Sequence, residues 1–408
     1  MRTNTKCVRT ASLALVLLVV ATPGVLAGDI TTLVPPTAAV GAHVGRTVAI
    51  DGDRLVLGAP DDVAQGAGTS GSGVAYVYAR DTSTGRWTLE ARLTGREDAG
   101  LFAESLALDD RTLVVGAPYG DSAGTNTGEV YVFVRADTQW RLQALLTPSD
   151  AQPGQQFGSA VTLEGDLLAI GAPLTDGQHT DAGAAYVFRR LGNTWLEVSR
   201  LDAREPAPFA NLGAALALAP DRDTLAIGAP GGSETVHVFS SFGLGWAERA
   251  RLVCPEGPGA RDFGAVVALH GQTLAVSAPL DGGAAHKAGA VYVFEDGGEG
   301  WQASAALRAS DAEAEDEFGH GLCLVDGTLF VGAPFEGGLN EGAVYRYHKS
   351  AFGWSERAKL VPTAEPTTFF GMSIDLDGPV VLVGAPDFEH FAGSCCAGMA
   401  YIVSLVDG

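Results

Sequence analysis

The sequence predicts an all-β chain folded as a seven-bladed β-propeller of four-stranded antiparallel blades, closed by an N-terminal strand that completes the last blade. Three observations predict it. One unit recurs seven times, reading aromatic-Gly, an apolar alternation, Gly-Ala-Pro, Gly-x-Val-Tyr-Val-Phe and then Trp. The prolines of its Gly-Ala-Pro step, Pro60, Pro118, Pro173, Pro230, Pro279, Pro334 and Pro386, stand about 50 to 58 residues apart, the length of a blade of four short strands. The last unit stops after its third strand, and a matching fourth segment stands at the start of the chain.

The register inside the units is tight. The aromatic-Gly step precedes the Gly of Gly-Ala-Pro by 14 residues in six units, as in Phe157 to Gly171 and Phe318 to Gly332. The fourth unit, Leu212 to Gly228, is longer by two residues around Pro220-Asp221. All six tryptophans, Trp87, Trp140, Trp195, Trp246, Trp301 and Trp354, stand six residues before a leucine.

Alternation sets the strands of each unit. In the first unit they are residues 48–50, 54–57, 74–78 and 87–93. Asp51-Gly52, Glu164-Gly165, His270-Gly271, Asp326-Gly327 and Asp377-Gly378 read as tight turns between strands one and two, since Gly accepts the positive φ such turns need. Gly-Ala-Pro is expected to end the pairing of strand two, because Pro has no N–H to give a ladder. Strand three carries Tyr76, Tyr131, Tyr186, Tyr292, Tyr345 and Tyr401, with His237 in the fourth unit. These rings and the tryptophans are expected to fill the space between blades.

The units fall at about residues 41–93, 98–146, 153–201, 208–252, 260–307, 314–360 and 367–405, with a closing strand at 29–35. Leu33-Val34-Pro35 mirrors Leu360-Val361-Pro362, which makes the N-terminal segment the outer strand of the last blade. Such pairing removes two open edges and ties the termini together.

Residues 1–27 read as a secretory signal: Arg2, Lys6 and Arg9 are followed by the apolar run Leu13 to Val20 and by small residues at Val25-Leu26-Ala27. Cleavage there starts the mature chain at Gly28 and places it outside the cell or in the cell envelope. The apolar run is too short to span a bilayer, and Thr22-Pro23-Gly24 interrupts its continuation. Without residues 1–27 the chain holds 23 Lys and Arg against 48 Asp and Glu, a net charge of −25. That charge disfavours nucleic acid and anionic membranes as partners.

Cys254, Cys323, Cys395 and Cys396 allow two disulfides in three connectivities. Cys323 falls in an innermost strand and is expected to be a small buried residue. Cys395-Cys396, near Glu389 and His390, lacks the spaced pairs of a zinc site, and no metal centre is expected.

Phe157-Gly158 with Gly171-Ala172-Pro173, and Phe318-Gly319 with Gly332-Ala333-Pro334, make the chain resemble the FG-GAP repeat family, whose best-known member is the N-terminal propeller of integrin α subunits. Val44, Ala103, Leu212 and Ser277 depart from the motif. The resemblance implies a propeller used for adhesion or ligand binding outside the cell. Several integrin-type blades carry a calcium loop between strands one and two. Here that connection is a two-residue turn, and Asp51-Gly52-Asp53 and Asp221-Arg222-Asp223 supply too few oxygens, so no cofactor is expected and calcium at that position is not.

Propeller sites are grafted onto loops. The loops between strands two and three are long and polar, and their ligand-binding candidates are Asp61, Asp62, Tyr119, Asp121, Asp176, Asp181, Asp281, Phe335, Glu336 and Asp387. Convergent acids beside aromatic rings suit a basic or glycan-bearing partner, or a cation such as calcium through loop oxygens, and Asp and Gly are also good turn residues. No nucleophile elbow, zinc-protease motif or phosphate loop is present, so no catalytic residue is assigned. The expected function is that of a secreted, monomeric, non-enzymatic recognition or adhesion module for an extracellular protein or glycan. An enzyme with its site in the central channel, lyase or glycoside-active, is the alternative, as is a self-associating envelope or matrix protein. Acids and a His gathered on channel-side strands would favour the enzyme; polar loop clusters over a bland channel would favour binding.

Overall fold

A computed structural model describes residues 18–20, 25–62, 72–96, 99–243, 245–259, 261–362, 369–386 and 397–407. Among them the chain is all strand and turn, arranged as seven antiparallel sheets whose inner strands neighbour one another in sequence around a ring. Blade one runs Thr47–Asp51, Arg54–Ala59, Val74–Arg80 and Trp87–Leu93 from inside to outside. Blades two to six repeat this order from the inner strands Ser105–Asp109, Ala160–Glu164, Ala215–Leu218, Val267–His270 and Leu322–Val325.

Blade seven takes Ser373–Asp377, Val380–Ala385 and Met399–Asp407 from the end of the chain and its outer strand, Val25–Leu33, from the beginning. Leu33 pairs with Ala400 and Ile30 with Val403. The closing strand thus differs from the expected 29–35. It stops at Leu33, ahead of Pro35 and Pro36, which lack the N–H that a ladder needs. At its other end it runs on to Val25, through the expected cleavage point, with a register shift between Ala27 and Ile30.

Strand two is also longer than expected. Gly58 pairs with Ala75 and Ala59 with Val74, so pairing ends at Pro60 and not at Leu57. The glycine stays in the ladder because it has no side chain. A Cβ on Gly116, Gly171, Gly228, Gly332 or Gly384 would stand about 2 Å from the carbonyl oxygen of the aromatic-Gly glycine of the next blade. Within each blade the residue at the aromatic-Gly glycine position, Ala103 in blade two, donates its N–H to the first residue of the Gly-Ala-Pro step, Ser277 in blade five, as Gly158 does to Gly171 at 2.9 Å. The two halves of the motif are therefore one joint, made once within a blade and once between blades.

The core is a set of wedges between neighbouring blades. Phe157 is fully buried against Val114, Val130 and Val132 of blade two, with its ring edge-on to Tyr186 at 5.4 Å and to Phe188 at 6.1 Å. At the seam, Val44, Leu55, Leu57 and Tyr76 of blade one pack on Val380, Leu382 and Ile402 of blade seven and on Leu33. Burying one such side chain contributes roughly 1.5–3 kcal/mol. The outer strands of blades one to six carry a bulge at a fixed place, and two of the bulged residues reach the next blade's tryptophan: Trp140 Nε1 donates to Glu90 and Trp195 Nε1 to Gln143, each at 3.0 Å.

Cys254 and Cys323 are buried free thiols in blades that do not touch through them, so the two-bridge pairing of four cysteines is not formed. Cys395 and Cys396 lie outside the described residues. No helix among the described residues is long and apolar enough to cross a membrane.

Candidate functional site

In an antiparallel blade the one–two and three–four hairpins emerge on one face, and the two–three loops and the linkers to the next blade emerge on the other. The first face has tight turns and the second has the long loops. Beneath the long loops, blades one, two, three, five and six each build a polar clamp. The strand-three tyrosine stands across from a basic residue in Tyr76–Arg92, Tyr186–Arg200 and Tyr345–Lys359. Its hydroxyl donates to an acid, Asp62 for Tyr76, Glu129 for Tyr131, Asp150 for Tyr186 at 2.8 Å, Asp281 for Tyr292 at 2.9 Å and Asp311 for Tyr345 at 2.8 Å. Burial first, and the acid second in most blades, raises the phenol pKa at all five tyrosines and keeps them neutral donors.

The candidates divide on this clamp. Asp62 is buried and accepts from Tyr76 and from the Ala39 N–H at 3.2 Å. Its neighbour Asp61 is half-exposed and pairs with His43 Nδ1 at 2.6 Å. Asp281 is fully buried, bonded by the Gly283 N–H, Tyr292 and Arg308, with Arg261 Nε at 3.0 Å. Burial opposes its charge, but these donors outweigh burial and hold its carboxyl below the ordinary carboxylate range. Glu336 accepts from Lys359 Nζ at 2.6 Å, which also holds Asp311 at 2.7 Å. Phe335 lies edge-on between His320 and Phe369, at 5.6 and 5.2 Å.

Tyr119, Asp121 and Asp176 are exposed. Asp121 accepts the Asn126 N–H at 2.7 Å and Asp176 the Asp181 N–H at 3.0 Å, so each carboxylate braces its own loop over five residues. Asp181 sits at φ 48°, and its carbonyl takes the Asn211 N–H of the next blade. Asp387 lies outside the described residues. The structure thus sets the candidates around the rim in successive blades, each tied locally, and does not gather them into one pocket. Asp150, Asp311, Arg200 and Lys359 were not among the candidates; a basic residue directly before the strand-four leucine was the available signal.

The tight-turn end of the channel holds a feature that sequence reasoning took only for turns. Carboxylates there clasp the backbone of the next blade: Asp377 accepts the Gly52 N–H at 2.9 Å, Asp51 that of Asp110, Asp109 that of Gly165, and Asp375 that of Ile50 at 2.8 Å. Arg222 to Asp166 at 2.8 Å and His270 to Asp326 at 3.0 Å continue the ring. Burial raises the pKa of Asp51 and Glu164 and lifts Asp375 to about 7, with the charges of Asp377 and Asp51 adding to the last.

A family profile described as the FG-GAP repeat matches residues 28–78, 87–133, 140–188, 246–294 and 301–347, more than half of the chain. The chain belongs to the FG-GAP repeat family. Its relatives include human integrin alpha-D, 28% identical over 162 residues, which is 36% of this chain and 13% of that protein. Mouse integrin alpha-M is 30% identical over 120 residues, 26% of this chain and 10% of that protein, and mouse integrin alpha-11 is 29% identical over 137 residues, 30% and 11%. The FG-GAP chain therefore aligns with about a tenth of the length of these integrin subunits. Among solved structures, a candidate 6-phosphogluconolactonase from Bacteroides uniformis superposes with a TM-score of 0.54 at 12% identity, covering 81% of this chain and 89% of that one. At that identity the likeness is one of fold alone. In this FG-GAP chain the one–two connections are the tight turns described above, and among the described residues no group of three or more His, Cys, Asp or Glu is placed to hold a metal ion.

Proposed function

We propose that this FG-GAP propeller is a secreted, non-enzymatic recognition and adhesion module that binds an extracellular protein or glycan through the loops of its long-loop face. The observation that carries this reading is the division of labour on that face. Buried Asp62 and Asp281 fix the loops from below, while Tyr119, Asp121 and Asp176 stand exposed on braced loops. Rigid loops presenting polar and aromatic groups bind with little ordering cost. The integrin relatives and the leader-like residues 1–27 support an extracellular setting.

Surface plasmon resonance of residues 28–408 against purified matrix glycoproteins and immobilised glycans tests it. A partner bound by the wild type and lost by about tenfold in Tyr119→Ala and Asp121→Ala, with unfolding midpoints unchanged, is the expected result. Binding indifferent to both loops overturns the assignment of the face.

A second reading, catalysis at the channel mouth, is favoured by one observation: Asp375, with a carboxyl near 7, stands beside Asp377 and Asp51, and His270 is on the same ring. Their engagement with backbone N–H groups weighs toward a structural ring. Turnover of a polysaccharide or lactone that disappears in Asp375→Asn would reverse that order.

A further inference from the structure

Blade four breaks the clamp that blades one, two, three, five and six keep. In blades three and six the linker acid gathers both the tyrosine hydroxyl and the strand-four cation: Asp150 holds Tyr186 and Arg200, and Asp311 holds Tyr345 and Lys359. The corresponding residues of blade four are Glu205, His237 and Arg251. His237 is instead turned onto Glu248 at 3.1 Å and Thr235 at 3.1 Å, and Glu248 is further occupied by the Arg204 N–H at 2.6 Å. The side chains of Glu205 and Arg251 are exposed and make no hydrogen bond or ion pair among the described residues.

What the missing clamp leaves is a notch. A cavity of about 180 Å³ opens between blades three and four, lined by Arg204, Glu205, Glu248, Arg249, Ala250 and Arg251. Its three arginines are exposed, on a chain whose net charge is −22. Arg249 is the bulged residue of the outer strand Gly245–Val253 and Arg251 follows it two residues on, so both guanidinium groups belong to the same strand beside the cavity.

Among the described residues that strand is the last of its sheet, with an open edge. Blade six shows what such an edge accepts. Its outer strand, Gly353–Val361, takes Leu18–Val20 as a fifth strand, antiparallel, with Leu18 opposite Val361 and Val20 opposite Lys359. The corresponding edge of blade four is Arg251 to Val253, and Val253 is 52% exposed.

We propose that the notch between blades three and four docks an extended acidic segment of a partner polypeptide, which adds as a strand along Arg251–Val253 and sets a carboxylate among Arg204, Arg249 and Arg251. Main-chain pairing supplies affinity in strand addition, and the side-chain pocket supplies selectivity. Arginine suits the task because its fork of donors matches a carboxylate bidentately. The proposal deepens the recognition reading by naming the chemistry of one partner. Retained partner binding through Tyr119 and Asp121, with none here, would leave that reading standing and remove this one.

The test is fluorescence anisotropy of a short labelled peptide of alternating Thr and Glu with residues 28–408. Saturable binding that weakens with added salt is expected. Arg251→Glu and Arg249→Glu should each weaken it by about tenfold or more, and N-methylation of alternate peptide amides should abolish it. Both arginines are exposed, and unchanged thermal midpoints check that the two variants fold; either variant alone suffices as the reading. No binding of the peptide, indifference to both substitutions, or equal binding of the methylated peptide overturns the proposal. So does displacement by an oligogalacturonate with the same arginine dependence, which assigns the notch to an acidic glycan.

Discussion

The carbonyl oxygen of Gly213 stands 1.9 Å from the point where a Cβ on Gly171 would be built. Blade four is thus seated on blade three through a contact that only glycine permits. Gly171→Ala forces backbone apart on both sides, and overpacking of this kind costs about 1–3 kcal/mol. Gly297→Ala, which meets nothing within 4 Å, should stay within about 0.5 kcal/mol of the wild type. Urea midpoints at a constant slope measure both.

Tyr345→Phe removes the hydroxyl that donates to Asp311 at 2.8 Å, beneath Glu336 and Lys359. A bond to a charged acceptor is worth about 1.5–3 kcal/mol, so the variant should unfold at lower denaturant by that amount. Phe at the exposed Tyr119 should leave the midpoint where it is.

Asp375 gives stability a pH dependence with a definite sign. Its carboxyl titrates at the ordinary value of 3.8 in the unfolded chain and at about 7 in the folded one. Between those values the folded protein holds a proton that the unfolded chain has released, so stability is lost as pH rises through the window. Asp375→Asn keeps an oxygen for the Ile50 N–H and removes the charge. Its thermal midpoint should match the wild type near pH 4 and exceed it above pH 7; parallel midpoint curves would show that Asp375 does not titrate there.

Closure by the first strand can be tested by trimming. A chain beginning at Gly28 keeps the pairs from Ile30 to Leu33, whereas one beginning at residue 41 loses them and exposes the Ala400–Val403 edge of the last blade. The shorter chain should melt lower or associate, as calorimetry and gel filtration will show; a stable monomer would count against closure. Sequencing the exported protein should return Gly28 as its first residue.

Calcium is expected to leave the midpoint unchanged. A ligand that binds only the folded state must raise it by mass action. Excess calcium and chelator should give the same thermal unfolding of residues 28–408 at fixed ionic strength, and a rise with calcium would reveal a loop site.

By itself the sequence determined the number of blades, the four strands of each, the tight-turn face and the closure by the first strand. These follow from period-two alternation and from glycine and proline at fixed offsets, which act over neighbouring residues. It placed the end of strand two too early because proline's missing donor was read as acting two residues ahead of itself; Gly58 and Ala59 still pair. Only the tertiary structure separated Asp61 from Asp62, since the buried partners of Asp62, Tyr76 and Ala39, lie 14 and 23 residues away. The same holds for Asp375 and Ile50, 325 residues apart. Whether a carboxylate is a turn residue, a clamp or a free group depends on donors supplied by other strands and other blades, and no local pattern encodes that distance.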